Sequence, residues 1–225
     1  PHITRLEPLP PRGLRVRIHL DRGDPLEVAL EALERLSLGV GDPLPRNDRH
    51  HLLDADAEIR VRDAALNLLS YRARTRTELR RRLLAKGFRP ARIDPCLDRL
   101  ERRGLLDDAA VASAFVRDRL RHRPRGKARL TQELRAKGVD GSLAERVVDS
   151  VLEDEDVTEA DLARRVVEGW LGRQGTRTVR SLASEERSPE SEKARRRLYG
   201  YLARRGFRGQ ALGRAMALAK ELARA

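Results

Sequence analysis

The chain has 225 residues, 37% charged and 3% aromatic, and 48 Lys plus Arg against 35 Asp plus Glu leave a net charge of +13. The length fits one large or two modest domains, and the basic excess points to polyanionic partners and excludes an acidic tail-like protein. No apolar run approaches the ~18 residues of a membrane-spanning helix, Pro1-His2-Ile3-Thr4-Arg5 lacks a signal-peptide core, and the single Cys96 excludes a disulfide framework or a thiolate metal cluster.

A cytoplasmic monomer without membrane contact is therefore expected. So few aromatics argue against a sheet platform that stacks bases. Charge is unevenly placed: residues 1–57 carry a net −2, residues 58–108 +6, residues 109–152 +5 and residues 153–225 +4. Of the basic residues 43 are Arg, which reads either as a preference for bidentate phosphate or carboxylate contacts or as GC-rich codon usage, since Leu and Ala are also plentiful.

In chain order, Leu14 to Leu20 alternates apolar and polar residues with period two, and Leu26, Val28 and Leu30 alternate again after Asp21-Arg22-Gly23-Asp24-Pro25. The pattern predicts a β-hairpin over 14–30, packed on a short helix from Glu31 to Leu36, because one hairpin is not stable alone. Arg15, Arg17 and His19 share its outer face, which reads as a solvated, edge-protecting face rather than a phosphate-tracking edge. His50 and His51 are adjacent, so on one helix their rings diverge by about 100° and cannot share a metal; no metal site is expected.

From about residue 58 the pattern becomes helical and repetitive. Leu79 to Phe88, Leu130 to Val139 and Leu198 to Phe207 each show Leu at i and i+4, a basic residue, Gly, then an apolar residue. The Leu pair makes a buried helix face. The basic residue suits a helix C-terminus, and Gly87, Gly138 and Gly206 read as left-handed structural caps closed by the next apolar residue. Apolar pairs spaced by four follow (Ile93 and Leu97, Leu143 and Val147, Leu212 and Met216), and an apolar helix precedes each copy. Each unit is thus three helices, the signature of stacked helical repeats.

Start signals agree with this division. Thr75-Arg76-Thr77-Glu78 and Thr158-Glu159-Ala160-Asp161 read as capping boxes, Asp107-Asp108 as a cap, and Ser188-Pro189 as a cap followed by Pro at the first helical position. Pro95 suggests that the third helix of the first unit starts late, with Asp94 as its cap and Arg89-Pro90 as an extra turn. Cys96 reads as a core hydrophobe and Trp170 as packing of the third unit. The fold class is mainly α: tandem three-helix repeats in an elongated curved array with a small N-terminal β-hairpin module. The domains are 1–57, 58–108, 109–152 and 153–225, the last carrying a polar insertion near 172–192.

Leu79…Lys86-Gly87-Phe88…Ile93…Leu97…Leu100…Gly104-Leu105-Leu106-Asp107-Asp108 resembles the first repeat of the RecX family, regulators of the RecA recombinase. Arg125-Gly126-Lys127-Ala128-Arg129-Leu130…Glu133-Leu134…Lys137-Gly138-Val139 resembles its second. The likeness covers about residues 58–225, and the insertion from Gly172 to Glu192 is where the chain departs from the family pattern. The resemblance implies a protein of homologous recombination and DNA repair that binds the RecA nucleoprotein filament. It would limit filament ATP hydrolysis, strand exchange and co-protease activity, and hence the SOS response. The alternative is a helical DNA-binding protein acting directly on single- or double-stranded DNA.

Candidate contact residues are Arg80, Arg81 and Arg82, on the side of their helix opposite Leu79 and Leu83, and Arg121, Arg123, Arg125, Lys127 and Arg129 around Pro124 and Gly126. Arg123, Arg125 and Lys127 have few acids close in sequence, so their field is expected to face outward; a solvated face balanced by Asp118 and Glu133 is the competing reading. No phosphate-binding Gly-rich loop or nucleophile elbow occurs, so neither catalytic residues nor a cofactor are expected. Glu153-Asp154-Glu155-Asp156 reads as a linker and acidic helix start rather than a metal site.

Overall fold

The computed structural model describes residues 1–11, 14–186 and 188–224. At the N-terminus the hairpin forms as β2 (Arg15–Leu20) and β3 (Leu26–Ala29), and β1 (Ile3–Leu9) adds to β2 to give an antiparallel sheet in the order β1-β2-β3. Val16 and Ile18 alternate inward, as the period-two pattern requires. β1 escaped the pattern because its register shifts between Ile3 and Arg5 and, of its seven residues, only Ile3 is fully buried. The outer face is internally neutralised. Arg17 donates to Glu27 at 2.7 Å, and His19 lies 2.8 Å from Glu7.

Helix α1 (Leu30–Arg35) follows, and then α2 (Arg46–Tyr71) runs unbroken for 26 residues across the boundary placed at 57/58. Leu52, Asp56 and Ile59 face the sheet core, whereas Val61 and Ala65 face the core of the first repeat. Ile59 and Val61 are two residues apart, about 200° around the helix, so one rod serves two cores on nearly opposite sides. Asp56 is 5% exposed, and its Oδ1 accepts from Ala29 N–H at 2.7 Å and from Arg15 at 3.0 Å. Its charge ties the end of β3 to α2.

The repeats follow, the first two as three-helix groups and the third with a fourth helix. The first takes the end of α2 with α3 (Arg76–Ala85) and α4 (Pro90–Arg102), and the second comprises α5 (Asp108–His122), α6 (Lys127–Ala136) and α7 (Gly141–Asp154). The third comprises α8 (Glu159–Leu171), α9 (Thr176–Ala183), α10 (Pro189–Arg204) and α11 (Gly209–Leu222). The chain divides into two units, Pro1–Leu106 and Asp107–Ala225. The first holds two apolar clusters, one under the sheet and one in the first repeat. In the second a single cluster runs from Ala112 to Ala219, so the second and third repeats share one core. Trp170, 5% exposed, and Cys96, 1% exposed, are both core residues.

All three expected cap glycines are left-handed, with φ of +87° at Gly87, +82° at Gly138 and +92° at Gly206. Each closes the same double bond pattern: Phe88 N–H to Leu83 C=O with Gly87 N–H to Leu84 C=O, and likewise Val139 to Leu134 with Gly138 to Arg135, and Phe207 to Leu202 with Gly206 to Ala203. At the other ends Thr75 accepts from Glu78 N–H, Asp107 from Ala110 N–H, and Thr158 forms a full box with Asp161.

Two expectations are corrected. α4 starts at Pro90 with Arg89 as N-cap, and Pro95 lies inside it. Pro90 supplies the preset φ of a first helical residue, so only the bond from position 95 to the Ala91 carbonyl is lost, and Asp94 is used by Arg80 rather than as a cap. The polar segment near 172–192, leaving aside Arg187, which lies outside the described residues, contains α9, whose Leu182 is 2% exposed in the shared core. Among the described residues no helix is long and apolar enough to cross a membrane.

Gly87 and Gly206 separate two effects. A Cβ at Gly87 meets nothing within 4 Å, whereas one at Gly206 lies 2.5 Å from the Arg129 backbone nitrogen. Gly87→Ala is expected to cost about 1–2 kcal/mol from the left-handed backbone alone. Gly206→Ala adds an overpacking term and reaches roughly 2–5 kcal/mol. Chemical denaturation of both variants checks the order.

Glu31 supplies a pH test. Hydrogen bonds from Arg62, then Arg35, hold its carboxyl down at about 2 against an ordinary 4.5. A depressed acid contributes stability above pH 4.5 that is lost as pH falls toward 2. Glu31→Gln should therefore lower the melting temperature at neutral pH, by up to about 1 kcal/mol of stability for a half-exposed pair. The gap from wild type should close on acidification.

Candidate polyanion interface

On α3, Leu79 and Leu83 are fully buried, which turns the Arg80–Arg82 triplet outward. The three arginines then differ. Arg80 donates to Asp94 at 2.7 Å, and this bond lowers the Asp94 pKa, so Arg80 is an internal tie between α3 and α4. Arg81 and Arg82 are exposed, with no hydrogen-bond or ion-pair partner among the described residues.

The second candidate group lies where α5 ends and α6 begins. A shift of 51 residues places Leu79 on Leu130, Gly87 on Gly138 and Asp98 on Asp149. It also places Arg72, Arg74 and Arg76 on Arg123, Arg125 and Lys127. Arg76 pairs with Asp98 at 2.7 Å, and Lys127 repeats this with Asp149 at 2.5 Å. Arg72 donates to Glu78 at 3.1 Å, but the counterpart of Glu78 is Arg129. Arg123 thus loses its acid, and with exposed Arg121 it has no partner among the described residues. Arg74 donates to Leu68 C=O at 3.1 Å, whereas the buried Nε of Arg125 has no hydrogen-bond partner and stands 3.6 Å from Glu133.

Glu133 is the hub of this group, accepting from Arg119 and Arg129 at 3.0 Å each. Burial drives its pKa upward, but those bonds and the field of Arg125 prevail and hold it below the ordinary value. The Arg125 pKa is lowered, first by burial and then by the crowding of Arg205, Arg129 and Arg119 against the pull of Glu133. The expectation that Arg123, Arg125 and Lys127 all face outward for want of acids is therefore corrected. Asp149, distant in sequence, folds against Lys127, and Glu133, the acid of the competing reading, stands 3.6 Å from Arg125; of the five loop candidates, Arg121 and Arg123 are left without a side-chain partner among the described residues.

The loop is seated on the third repeat. Gly126 N–H donates to Arg205 C=O at 2.8 Å, and a Cβ on Gly126 would lie 2.9 Å from the Gly206 carbonyl. This contact brings Arg205, which caps the C-terminus of α10, and Arg165 of α8 to the α5–α6 loop: Arg205 donates to Pro124 C=O at 3.3 Å and Arg165 to Leu120 C=O at 3.5 Å. Sequence reasoning missed both, since they lie 45 and 81 residues from their partners. The one available signal, the Arg205-Gly206-Phe207 cap, is structural. Burial raises the Cys96 pKa and keeps the thiol unreactive. Among the described residues no group of three or more His, Cys, Asp or Glu could hold a metal ion.

Comparison with known proteins places this geometry. Family models described as "RecX, first three-helix domain" and "RecX, second three-helix domain" match residues 62–100 and 107–148. A "Regulatory protein RecX" of Halorhodospira halophila is 45% identical over 112 residues, 50% of this chain and 66% of the relative. One of Lactobacillus delbrueckii subsp. bulgaricus is 30% identical over 161 residues, 72% of this chain and 58% of the relative. The chain thus spans less than two thirds of either relative's length. A crystal structure of regulatory protein RecX shares the fold at a TM-score of 0.71 and 23% identity, covering 94% of this chain and 97% of that one. That of RecX from Lactobacillus salivarius gives 0.53 at 20% identity, with 75% and 99% covered.

Removal of the hub tests the electrostatic account. Glu133→Gln leaves three guanidinium groups facing one another and should destabilise the second unit by roughly 2–3 kcal/mol. Because the Glu133 pKa is depressed, its contribution is present above the ordinary carboxylate range and fades on acidification. Thermal melts of both proteins should therefore converge as pH falls.

Proposed function

The chain belongs to the RecX family, and from that premise we propose that it is a non-enzymatic negative regulator of the RecA recombinase. It acts in the cytoplasm as a monomer, binding the RecA–DNA filament and limiting its ATP hydrolysis, strand exchange and co-protease activity. The observation that carries this reading is the pair of unpartnered cations on a repeat of RecX type, Arg121 and Arg123 at the α5–α6 junction. Charges already spent on internal pairs, such as Arg80 and Lys127, have little left for a partner. Free guanidinium groups present five donors each in a fixed fork, suited to the phosphates and carboxylates of a protein–DNA filament. They govern encounter and register, so the interaction weakens with salt.

Charge reversal at both positions, Arg121→Glu with Arg123→Glu, is expected to weaken inhibition of DNA-dependent RecA ATPase about tenfold or more at low salt. It should also flatten the dependence of inhibition on salt while leaving the circular dichroism melt unchanged. Equal inhibition by the folded variant at low and high salt would remove this junction from the interface.

A further inference from the structure

Around the Gly126–Gly206 contact lies a cavity of about 320 Å³, entirely within the second unit, lined by guanidinium groups from three directions. Arg123 and Arg125 come from the α5–α6 loop, Arg165 from α8 with Arg173 just beyond its end, and Arg205 from the end of α10. No Asp or Glu lines it. Of the carboxylates on the same elements, Glu133 binds Arg119 and Arg129 and reaches Arg125 at 3.6 Å, Asp118 binds Arg119 and lies 3.2 Å from His122, which also lines the cavity, and Asp161 is held by the Thr158 cap.

Arg125 stands 3.6 Å from Glu133, but Arg165, Arg173 and Arg205 are placed by neutral groups rather than neutralised by acids. Arg173 donates to the Tyr201 hydroxyl at 2.6 Å, and the Arg205 guanidinium stands 4.7 Å over the Tyr201 ring. Arg205 and Arg165 donate to the carbonyls of Pro124 and Leu120. Such bonds orient a guanidinium and leave its charge intact. The buried Arg125 Nε, without a hydrogen bond and 3.6 Å from Glu133, belongs to the same cluster. Arg123, Arg165, Arg173 and Arg205 gather here with no carboxylate partner among the described residues, and an anion bound among them would relieve their mutual repulsion.

We propose that this cavity is a phosphate-ester site that takes one phosphate of a DNA strand, independently of RecA. Shape favours phosphate over carboxylate. A carboxylate offers two coplanar oxygens and satisfies one guanidinium fork, whereas a phosphate offers oxygens in several directions to cations converging from three. The volume sits at the small end of the ~300–1,000 Å³ range of ligand sites, with room for a phosphate and the sugar that carries it. Arg121, two residues before the lining Arg123 and likewise without a side-chain partner among the described residues, is left to meet the neighbouring backbone.

The test uses the full chain without recombinase. Binding of a fluorescent oligodeoxythymidylate is followed by anisotropy across a chloride series, with and without a terminal phosphate on the strand. Arg165→Gln with Arg173→Gln should weaken binding about tenfold. It should also make the slope of log affinity against log salt shallower by roughly 0.7, the value of one phosphate contact on single strands. Arg81→Gln with Arg82→Gln removes equal charge from the first unit and should have a clearly smaller effect. If the first double variant melts early, Arg173→Gln alone, which gives up a hydrogen bond and a ring contact to Tyr201, carries the same test. Tighter binding of the phosphorylated strand assigns the site to strand ends, and equal binding assigns it to internal phosphodiesters. The proposal is overturned if the pocket variants bind like wild type, if the control loses as much, or if polyglutamate competes as well as the phosphorylated strand, which would make this a carboxylate site. Loss of oligonucleotide binding with intact RecA inhibition would leave the pocket standing apart from the proposed regulation, and the reverse result would do the opposite.

Discussion

The backbone contact between Gly126 and the Gly206 cap holds the arrangement of the second unit. One end of α6 is pinned by a hydrogen bond from Gly126 N–H to Arg205 C=O, and the turn that follows lies so close that neither glycine has space for a Cβ. Gly206 does two jobs at once. Its left-handed backbone ends α10, and its missing side chain admits the backbone of Arg129. The other cap glycine with an open surrounding, Gly87, does only the first. Because the contact is made by backbone, it fixes the position of the α5–α6 loop against the end of α10. It also explains why the core of the second and third repeats is one continuous cluster.

That seam has an electrostatic consequence. It presses a segment rich in arginine against another helix end rich in arginine, and the protein answers with Glu133 on α6, which takes Arg119 and Arg129, and with Asp118 on α5, which takes a second bond from Arg119. These acids do not also reach the cations of α8 and α10. The remaining guanidinium groups are oriented by carbonyls and by Tyr201 instead. In the first unit the balance is different: Arg80, Arg76, Arg72 and Arg62 each find a carboxylate. Excess charge in the first unit is left to exposed side chains such as Arg81 and Arg82, where water screens it.

How much of this was legible follows from which forces are local. The repeats, their left-handed caps and the N-terminal caps depend on residues within one helical turn of each other, so Leu79, Leu83 and Gly87 announced themselves. The hairpin was legible because Val16 and Ile18 alternate over one buried face. β1 was not, since its register shift breaks the alternation, and neither was the length of α2, because its apolar residues change sides between Ile59 and Val61. Helix α9 hid behind a polar composition in which Leu182 alone is fully buried. At the site, the free Arg121 and Arg123 lay inside the recognised loop. Which of their neighbours were already neutralised depended on Asp149 and Glu133, and the cavity on Arg165, Arg173 and Arg205, brought there by tertiary packing alone.

The repeats also show where function can be sought in a duplicated fold. Positions that agree among copies, such as Leu79, Leu130 and Leu198 or the three cap glycines, answer the shared demand of closing a three-helix group. The tie from the start of the middle helix persists in two copies as Arg76–Asp98 and Lys127–Asp149. The corresponding Arg195 of the third, 68 residues on, donates to the Ser184 carbonyl instead. Such positions are structural even where they are charged. The informative position is the one at which a structural partner has been withdrawn. Glu78 holds Arg72 in the first repeat, and its counterpart in the second is Arg129, which turns to Glu133 and leaves Arg123 with nothing to bind. The exchange replaces an attraction within the loop by a repulsion. That repulsion is tolerable on its exposed side and is relieved when an anion arrives, so the second repeat keeps the fold of the first while converting its loop from a brace into a surface for charge.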